Sequence, residues 1–457
     1  MLIEFSVSNF LSFNEKETFS MVAGKARKYS QRIYNDKKSK LTKCKVIFGA
    51  NASGKSNLVY AFQFIQKMIL DGFPRGFSNK YYRLHPENKN MPSNFEIKIL
   101  SGSKIFSYGF SVILATGSII KEYLYENINS DVQKVLFERD TTNEKFSVGQ
   151  YFKRQDVIEK LNNYGEDSAN DVETLFLSII NKNKGKMFVD FPDLKVLRNI
   201  FEWFATRLNI SFPESILTGY PYFTDSNLDE IADILSALGT GISELKIVEV
   251  PIELIKKKIP DNIFNQIVSD LEKANVRIHN DNHGSHPRVM VRSYKEFYTF
   301  EIDSDNKVTI TTIEFSHENK DVYFDLNEES DGTARLLDLI EIFFKISDNR
   351  IFVIDEIDRC LHPAMTVKII ELFLEMAKKR DAQLIITTHE SRLLASDILR
   401  NDEICFVSKN VQGASVMNPL EKYQLRADKK VYAALFDGTI DAIPIFDEVR
   451  LNSLLDK

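Results

Sequence analysis

Cysteine is scarce in this chain of 457 residues: Cys44, Cys360 and Cys405 are the only three, and they lie far apart. An odd number at such spacing offers neither a disulfide framework nor a zinc-ligand pattern, so a reducing compartment is expected. Long apolar runs are missing too. The opening MLIEFSVSNFLSF is interrupted by Glu4 and Asn9 and has no basic residues ahead of it, unlike a secretory leader. Nowhere does an apolar stretch approach the roughly 18 residues needed to cross a bilayer. A soluble cytoplasmic protein with no membrane partner is the expectation. Charge of one sign is also lacking, since 59 Lys and Arg against 65 Asp and Glu leave a net −6. That balance argues against wholesale coating of nucleic acid but permits a local basic patch. With 18 Gly, 12 Pro and 43% hydrophobic residues, the collagen-like and disordered classes are excluded. What is abundant is bulky core material, 34 Phe and 17 Tyr, in a length that suits one large or two to three ordinary domains.

The opening LIEFSVSN alternates apolar and polar side chains as a half-buried strand does, and KETFSMV is positioned to pair with it. A basic run follows: Lys25, Arg27, Lys28, Arg32, Lys37, Lys38, Lys40, Lys43 and Lys45 against the single acid Asp36. The apolar CKVIF then delivers the chain into GANASGKS, after which Leu58, Phe62, Ile65 and Ile69 recur at helical spacing. Segments from Asn94 to Glu126 read as antiparallel strands joined by Gly and Ser turns. From about 150 to 280 the pattern changes to successive helices of ordinary length, KRQDVIEKLNNY, DVETLFLSIINK, DLKVLRNIFEWFATRL and NLDEIADILSALG, with no sustained heptads. RVMVRS, FYTFEID, KVTITTIEF and VYFDL restore strands. A helix from about Thr333, the run RIFVIDE, a helix after Pro363 and the run AQLIITTH then alternate in the manner of a parallel α/β lobe. The expected divisions are residues 1–150, an inserted, mainly helical part over 151–285, and 286–457.

Four motifs carry chemistry. GANASGKS (Gly49–Ser56) has a Gly, four residues, then Gly-Lys-Ser between a strand and a helix. Small residues let successive backbone N–H groups curl around phosphate oxygens, and the helix N-terminus adds its positive dipole end. Lys55 would reach the β- and γ-phosphates, and Ser56 would hold Mg²⁺. RIFVIDE ends an apolar strand with Asp355, suited to the Mg²⁺ shell, and Glu356, suited to orienting an attacking water. AQLIITTH ends on His389, 34 residues after Asp355, where it could sense the γ-phosphate. In EESDGT, Ser330 is a good N-cap, Gly332 permits close backbone approach and Thr333 opens an amphipathic helix. One chain already uses its own loop on the nucleotide, so this second anion site makes sense facing the nucleotide of another subunit. Standing alone, the same segment reads as an ordinary capped helix.

Taken together, the series resembles the ABC/SMC-like branch of P-loop ATPases. On that resemblance Ser330 to Thr333 match the signature loop, Asp355 and Glu356 the Walker B acids and His389 the switch histidine. RCLHP (Arg359 to Pro363) falls at the D-loop with His362 where Asp is usual. Within the branch, NASGKSN, RLHPENKN, EESDGT, DEIDRCLHP and YAALFDGTIDAIP look like the AAA-type ATPases of bacterial phage-defence and abortive-infection operons, the RloA and AbiL kind, related to the OLD nucleases and to the Gabija and PARIS ATPases. The resemblance implies an α/β, ABC-type P-loop NTPase with a two-lobed sheet core. It also implies ATP and Mg²⁺ as ligands, with Gly49, Asn51, Ser53, Gly54, Lys55, Ser56, Asn57, Ser330, Gly332 and Thr333 binding nucleotide. Ser56 and Asp355 would hold the metal, and Lys55, Glu356 and His389 would act in hydrolysis. Only 68 residues follow His389, too few for a TOPRIM nuclease, and Asp437, Asp441 and Asp447 read as surface acids. Any cutting activity is therefore expected on a separately encoded nuclease or toxin, controlled by a homodimer or higher homo-oligomer of this chain. The alternative is a RecF-like DNA-binding repair ATPase, for which the Lys25 to Lys45 run is the supporting feature.

Overall fold

The computed structural model describes the chain except for residues 27, 37, 130, 214–226, 281–286, 294–295, 319–320, 346–348, 424–430 and 441–457. Arg27, Lys37, Asp441 and Asp447 thus lie outside the described residues. The chain divides into two compact units, one of residues 1–213, 345–358 and 366–457, the other of 214–344 and 359–365. Each is described by itself.

Two sheets build the first unit. One is antiparallel and seven-stranded, in the order Lys145–Val148, Gln133–Asp140, Ser118–Asn127, Lys104–Ile113, Ser93–Ser101, Leu2–Ser8, Glu17–Ser20. Alternation along these strands turns Phe5, Val7, Phe95, Ile97, Phe106, Tyr108 and Phe110 inward. They meet the helix Lys55–Leu70, whose Phe62, Ile65 and Ile69, at spacings of three and four, form one apolar face. Phe62 stacks on Phe5 with centroids 4.2 Å apart, and Phe64 lies 4.7 Å from Phe95. The other sheet runs Leu208–Ser211, Ile351–Ile354, Gln383–Thr387, Cys44–Phe48, Ile404–Lys409, all parallel, with Ser415–Pro419 antiparallel at its edge. Its three central strands are buried along their whole length, as continuous apolar runs in a parallel sheet must be. Parallel strands all end on one edge, which delivers the loops after Phe48, Ile354 and Thr387 to the same place.

One parallel strand was not expected. The pattern DLKVLRNIFEWFATRL reads as helix throughout, whereas the helix is Lys195–Glu202, followed by a π turn at Trp203–Arg207 and then the strand Leu208–Ser211. Gln66 Nε2, from the loop helix, donates to Phe204 O and Leu208 O at 2.8 and 2.7 Å. A side chain remote in sequence thereby satisfies carbonyls the ending helix leaves open. As a result the helices between 155 and 202 pack in the first unit rather than in a separate insertion starting at 151.

In the second unit, Glu244–Glu249, Val308–Ser316, Glu296–Ile302 and Arg288–Ser293 form an antiparallel path, with Tyr323–Asp325 also paired to Val308–Ser316. Phe264 and Leu271 of the helix Asp261–Asn280 bury Phe300, Ile302 and Ile310 of that sheet. The strands expected in the 286–457 lobe therefore belong with helices 228–280, because their apolar faces are covered by those helices.

Three members of the basic run, Arg32, Lys43 and Lys45, are buried inside the protein. Lys43, 4% exposed, donates to Ala377 O and Arg380 O at the end of the helix Pro363–Ala377, at 2.8 and 2.7 Å. Lys45 donates to Asp402 O at 2.6 Å, Arg32 to Ile398 O at 2.7 Å, and Lys28 pairs with Asp397. Lys25, Lys38 and Lys40 are exposed. Among the described residues no helix is long and apolar enough to cross a membrane.

Candidate functional site

The loop between Phe48 and Lys55 is shaped by positions that admit little beyond what occupies them. Gly54 has φ +111° and Ala52 φ +60°, both left-handed. A Cβ on Gly54 would overlap the hydroxyls of Ser415 and Ser12, and one on Gly49 would overlap Val407 O and Ser53 Oγ. Close backbone approach is thus enforced on both glycines. Lys55 is buried and donates to Gly49 O and Ala50 O at 2.8 and 3.1 Å, so its ammonium spans the concavity of the loop. Burial lowers its pKa to about 8, opposed by the negative charges of Asp355, Glu356 and Asp358. Ser53 Oγ is buried with no hydrogen-bond partner. An unmatched hydroxyl, a buried cation and a ring of small residues are what a phosphate group would satisfy.

Asp355 follows the strand Ile351–Ile354 and is 3% exposed. Its Oδ1 accepts from Ser56 Oγ at 3.1 Å and from Thr387 Oγ1 at 2.6 Å. These oxygens, a hydroxyl and a carboxylate side by side at the helix start, fit a hard divalent cation that also takes phosphate oxygens. Thr387 Oγ1 accepts in turn from the Glu356 backbone N–H at 2.8 Å. Glu356 sits at φ +46°, a left-handed conformation that a non-glycine residue adopts at a cost. The Ile357 N–H to Thr387 O bond at 3.1 Å holds that turn from its other side. His389 is exposed, and its N–H faces both oxygens of Asp358 at 3.3 and 3.4 Å. Its pKa is lowered by desolvation and then by Lys55, against the raising influence of Asp358, Glu356 and Asp355. The imidazole is therefore neutral at neutral pH. Lys55, Asp355, Glu356 and His389 thus share one electrostatic neighbourhood, within the first unit.

Ser330, Gly332 and Thr333 belong to the second unit. Ser330 Oγ caps the helix Asp331–Lys345, accepting from Thr333 N–H at 3.0 Å and lying 2.9 Å from Thr333 Oγ1. A Cβ on Gly332 would stand 3.0 Å from Cys360 O, so glycine allows that backbone approach. Glu329, buried just before the cap, is tied to His317 Nε2 at 2.8 Å.

Three residues not singled out from the sequence complete the first unit's site. Thr387 links the two acids as described. Ser12 and Ser415 clasp the loop: Ser415 Oγ donates to Ser53 O at 2.5 Å and lies 2.7 Å from Ser12 Oγ, which accepts from Asn57 Nδ2 at 2.7 Å. The FLSF segment holding Ser12 reads only as strand and turn, and Ser415 lies outside the motifs, between AQLIITTH and YAALFDGTIDAIP. A cavity of about 570 Å³ begins at Ser12 and Asn57 and is walled by Leu11, Tyr81, Leu84 and Lys409. Apolar and aromatic side chains mixed with the cations Lys80, Arg83 and Lys409, beside a phosphate loop, suit a nucleotide.

A parallel sheet whose strand ends gather a Gly-Lys-Ser loop, a buried aspartate and a neighbouring glutamate defines a mixed α/β P-loop NTPase. Residues 45–395 match the family model described as "AAA domain, putative AbiEii toxin, Type IV TA system", and the chain belongs to that family. No functionally curated protein matches it. Among solved structures, it is similar to an SMC head bound to the C-winged helix domain of ScpA, with 14% identity, TM-score 0.42, and 92% of this chain and 98% of that one covered. An SMC head domain from Thermotoga maritima matches at 13% identity and TM-score 0.34 over 92% and 98% of the two chains. An SMC head with an extended coiled coil, bound to the C-terminal domain of ScpA from Pyrococcus furiosus, matches at 14% and 0.34 over 92% and 97%.

Proposed function

We propose that this protein hydrolyses ATP between subunits and, as the sensing or scaffolding component of a bacterial anti-phage abortive-infection system, controls a separately encoded nuclease or toxin. The family's association with a toxin–antitoxin system supports the defence setting. The observation that carries the catalytic half is the Ser56, Asp355, Thr387 and Glu356 chain of contacts beside a buried Lys55.

In this reading Lys55 exchanges the Gly49 and Ala50 carbonyls for β- and γ-phosphate oxygens. The loop N–H groups hold the remaining phosphate oxygens, and the base enters the cavity beyond Asn57. Ser56 and Asp355 would hold Mg²⁺, which when bound neutralises charge on the β- and γ-phosphates. Thr387, by fixing the Glu356 backbone, aims that carboxylate at the attacking water, whose proton it accepts. His389 contacts the γ-phosphate. Ser330, Gly332 and Thr333 of a second copy offer a helix N-terminus to the phosphate from the opposite side, stabilising charge as the phosphoryl group transfers.

Glu356→Gln is the direct test. Loss of a positioned base costs about 10²–10⁴-fold in rate, so turnover should fall by at least about a hundredfold while ATP binding persists and the assembled state accumulates. Wild-type turnover in that variant would sink the assignment. For the DNA-binding alternative, the measurement is salt-sensitive, ATP-dependent retention of duplex on a filter. Its supporting feature is weakened by the internal bonds of Lys43, Lys45 and Arg32.

A further inference from the structure

The two units differ sharply in charge. The second holds 25 Asp and Glu against 13 Lys and Arg, whereas the first holds 40 against 46. A net charge of −12 on the second unit repels phosphate backbones and attracts cationic partners. Within it, a groove of about 310 Å³ runs between the helix Ile252–Lys258 and the ends of the strands Glu244–Glu249, Glu296–Ile302 and Tyr323–Asp325. Its apolar lining includes Val250, Leu254, Ile255, Phe297 and Leu326. Ile255, Phe297 and Leu326 are buried, while Leu254 leaves 49% of its surface open beside them. Carboxylates of Glu249, Glu314 and Asp325 also line it, and none of these three pairs with a cation among the described residues. The one cation in the lining, Lys258, is held by Glu296 at 2.6 Å and by the Tyr298 hydroxyl at 2.8 Å.

We propose that this groove docks a segment of a separate protein that carries one or two large aliphatic side chains between lysines or arginines. The volume lies at the small end of the roughly 300–1,000 Å³ typical of ligand pockets. It therefore takes an apolar anchor, and the surrounding carboxylates select flanks of opposite sign. A second copy of this chain is the weaker occupant, because a groove filled by a different surface of an identical molecule makes a heterologous contact that polymerises unless it closes. The proposal stands independently of the nucleotide reading.

The probe is a short fluorescein-labelled peptide with two leucines flanked by lysines, titrated by anisotropy against the full chain. It should bind at least about tenfold, or 1.4 kcal/mol, more tightly than versions with Leu changed to Ser or Lys changed to Glu, and more weakly as salt rises. Leu254→Glu, at an exposed position, and the double variant Glu314→Lys with Asp325→Lys should each lower affinity by at least about tenfold. ATP affinity should be unchanged in both, so failure here and failure of the nucleotide site are distinguishable. Equal binding by the Leu-to-Ser peptide, or unaltered binding by Leu254→Glu, overturns the proposal. So does a concentration-dependent self-association of the native chain in sedimentation that Leu254→Glu abolishes, which would make the occupant a second copy.

Discussion

Lys55 illustrates how a single side chain converts burial into a measurable property. Its pKa of about 8 lies below the ordinary 10.5 because desolvation outweighs three nearby carboxylates. The folded protein thus loses this proton before the unfolded chain does. The stability penalty of burying the charge is fully present below about pH 8 and is relieved as pH rises from about 8 toward 10.5. Phosphate, in contrast, requires the charged form. ATP affinity should therefore hold to about pH 8 and then fall by up to about tenfold per pH unit, as measured by equilibrium binding of a fluorescent nucleotide with Lys55→Met as the control. A flat profile from pH 7 to 9.5 would mean that the ammonium does not meet the phosphates. Thr387 makes a second residue-scale case. Thr387→Val keeps the shape but removes bonds to Asp355 and to the Glu356 N–H. Hydrolysis should drop more than ATP affinity does, with a stability loss of about 1–3 kcal/mol in denaturant titration. An unchanged rate would show that Glu356 holds its left-handed turn without that hydroxyl.

Among the elements, the phosphate loop is held from outside its own strand and helix. Ser12, before the second strand, and Ser415, after the fifth parallel strand, lie 403 residues apart and meet at Gly54. Ser415→Ala removes the hydroxyl bonds to Ser53 O and Ser12 while easing the contact on Gly54. We expect weaker ATP binding and a melting temperature within a few degrees of wild type, read by calorimetry with and without nucleotide. Lys43 acts on another element. Lys43→Met removes the ammonium that two carbonyls at the end of the helix Pro363–Ala377 share, leaving Ala377 O only the Arg380 N–H. It should cost about 1–3 kcal/mol of stability and leave any duplex retention unchanged, whereas a charge patch for DNA would show the reverse. The π turn at Trp203–Arg207 belongs to the same scale, since Gln66 from the loop helix ends one helix and starts the strand Leu208–Ser211.

At the scale of the whole molecule, the proposed mechanism takes the capped helix start at Ser330 from one copy and the phosphate loop from another. Sedimentation of Glu356→Gln with ATP and Mg²⁺ should therefore give a heavier species that Ser330→Arg abolishes. A mass independent of nucleotide in both would contradict assembly across the triphosphate. The uneven charge of the two units acts at this scale too. The near-neutral total of −6 in the sequence conceals a unit at −12, and the proposed basic segment would be drawn to that part of the chain.

The phosphate loop, the acids after RIFVI and the N-cap at Ser330 were legible in the residues themselves, because each is a local device: a tight turn, a strand end, a helix start. The parallel order of strands was legible in outline for the same reason, as apolar runs alternating with helical spacing. Spacing could not reveal the strand Leu208–Ser211, since its pairing with Ile351–Ile354 is settled by a partner far along the chain. Nor could composition show that Lys43 and Lys45 are spent on buried carbonyls, or that Thr387, Ser12 and Ser415 stand at the site. Those outcomes depend on contacts between segments tens to hundreds of residues apart, which exist only once the sheets have brought their ends together.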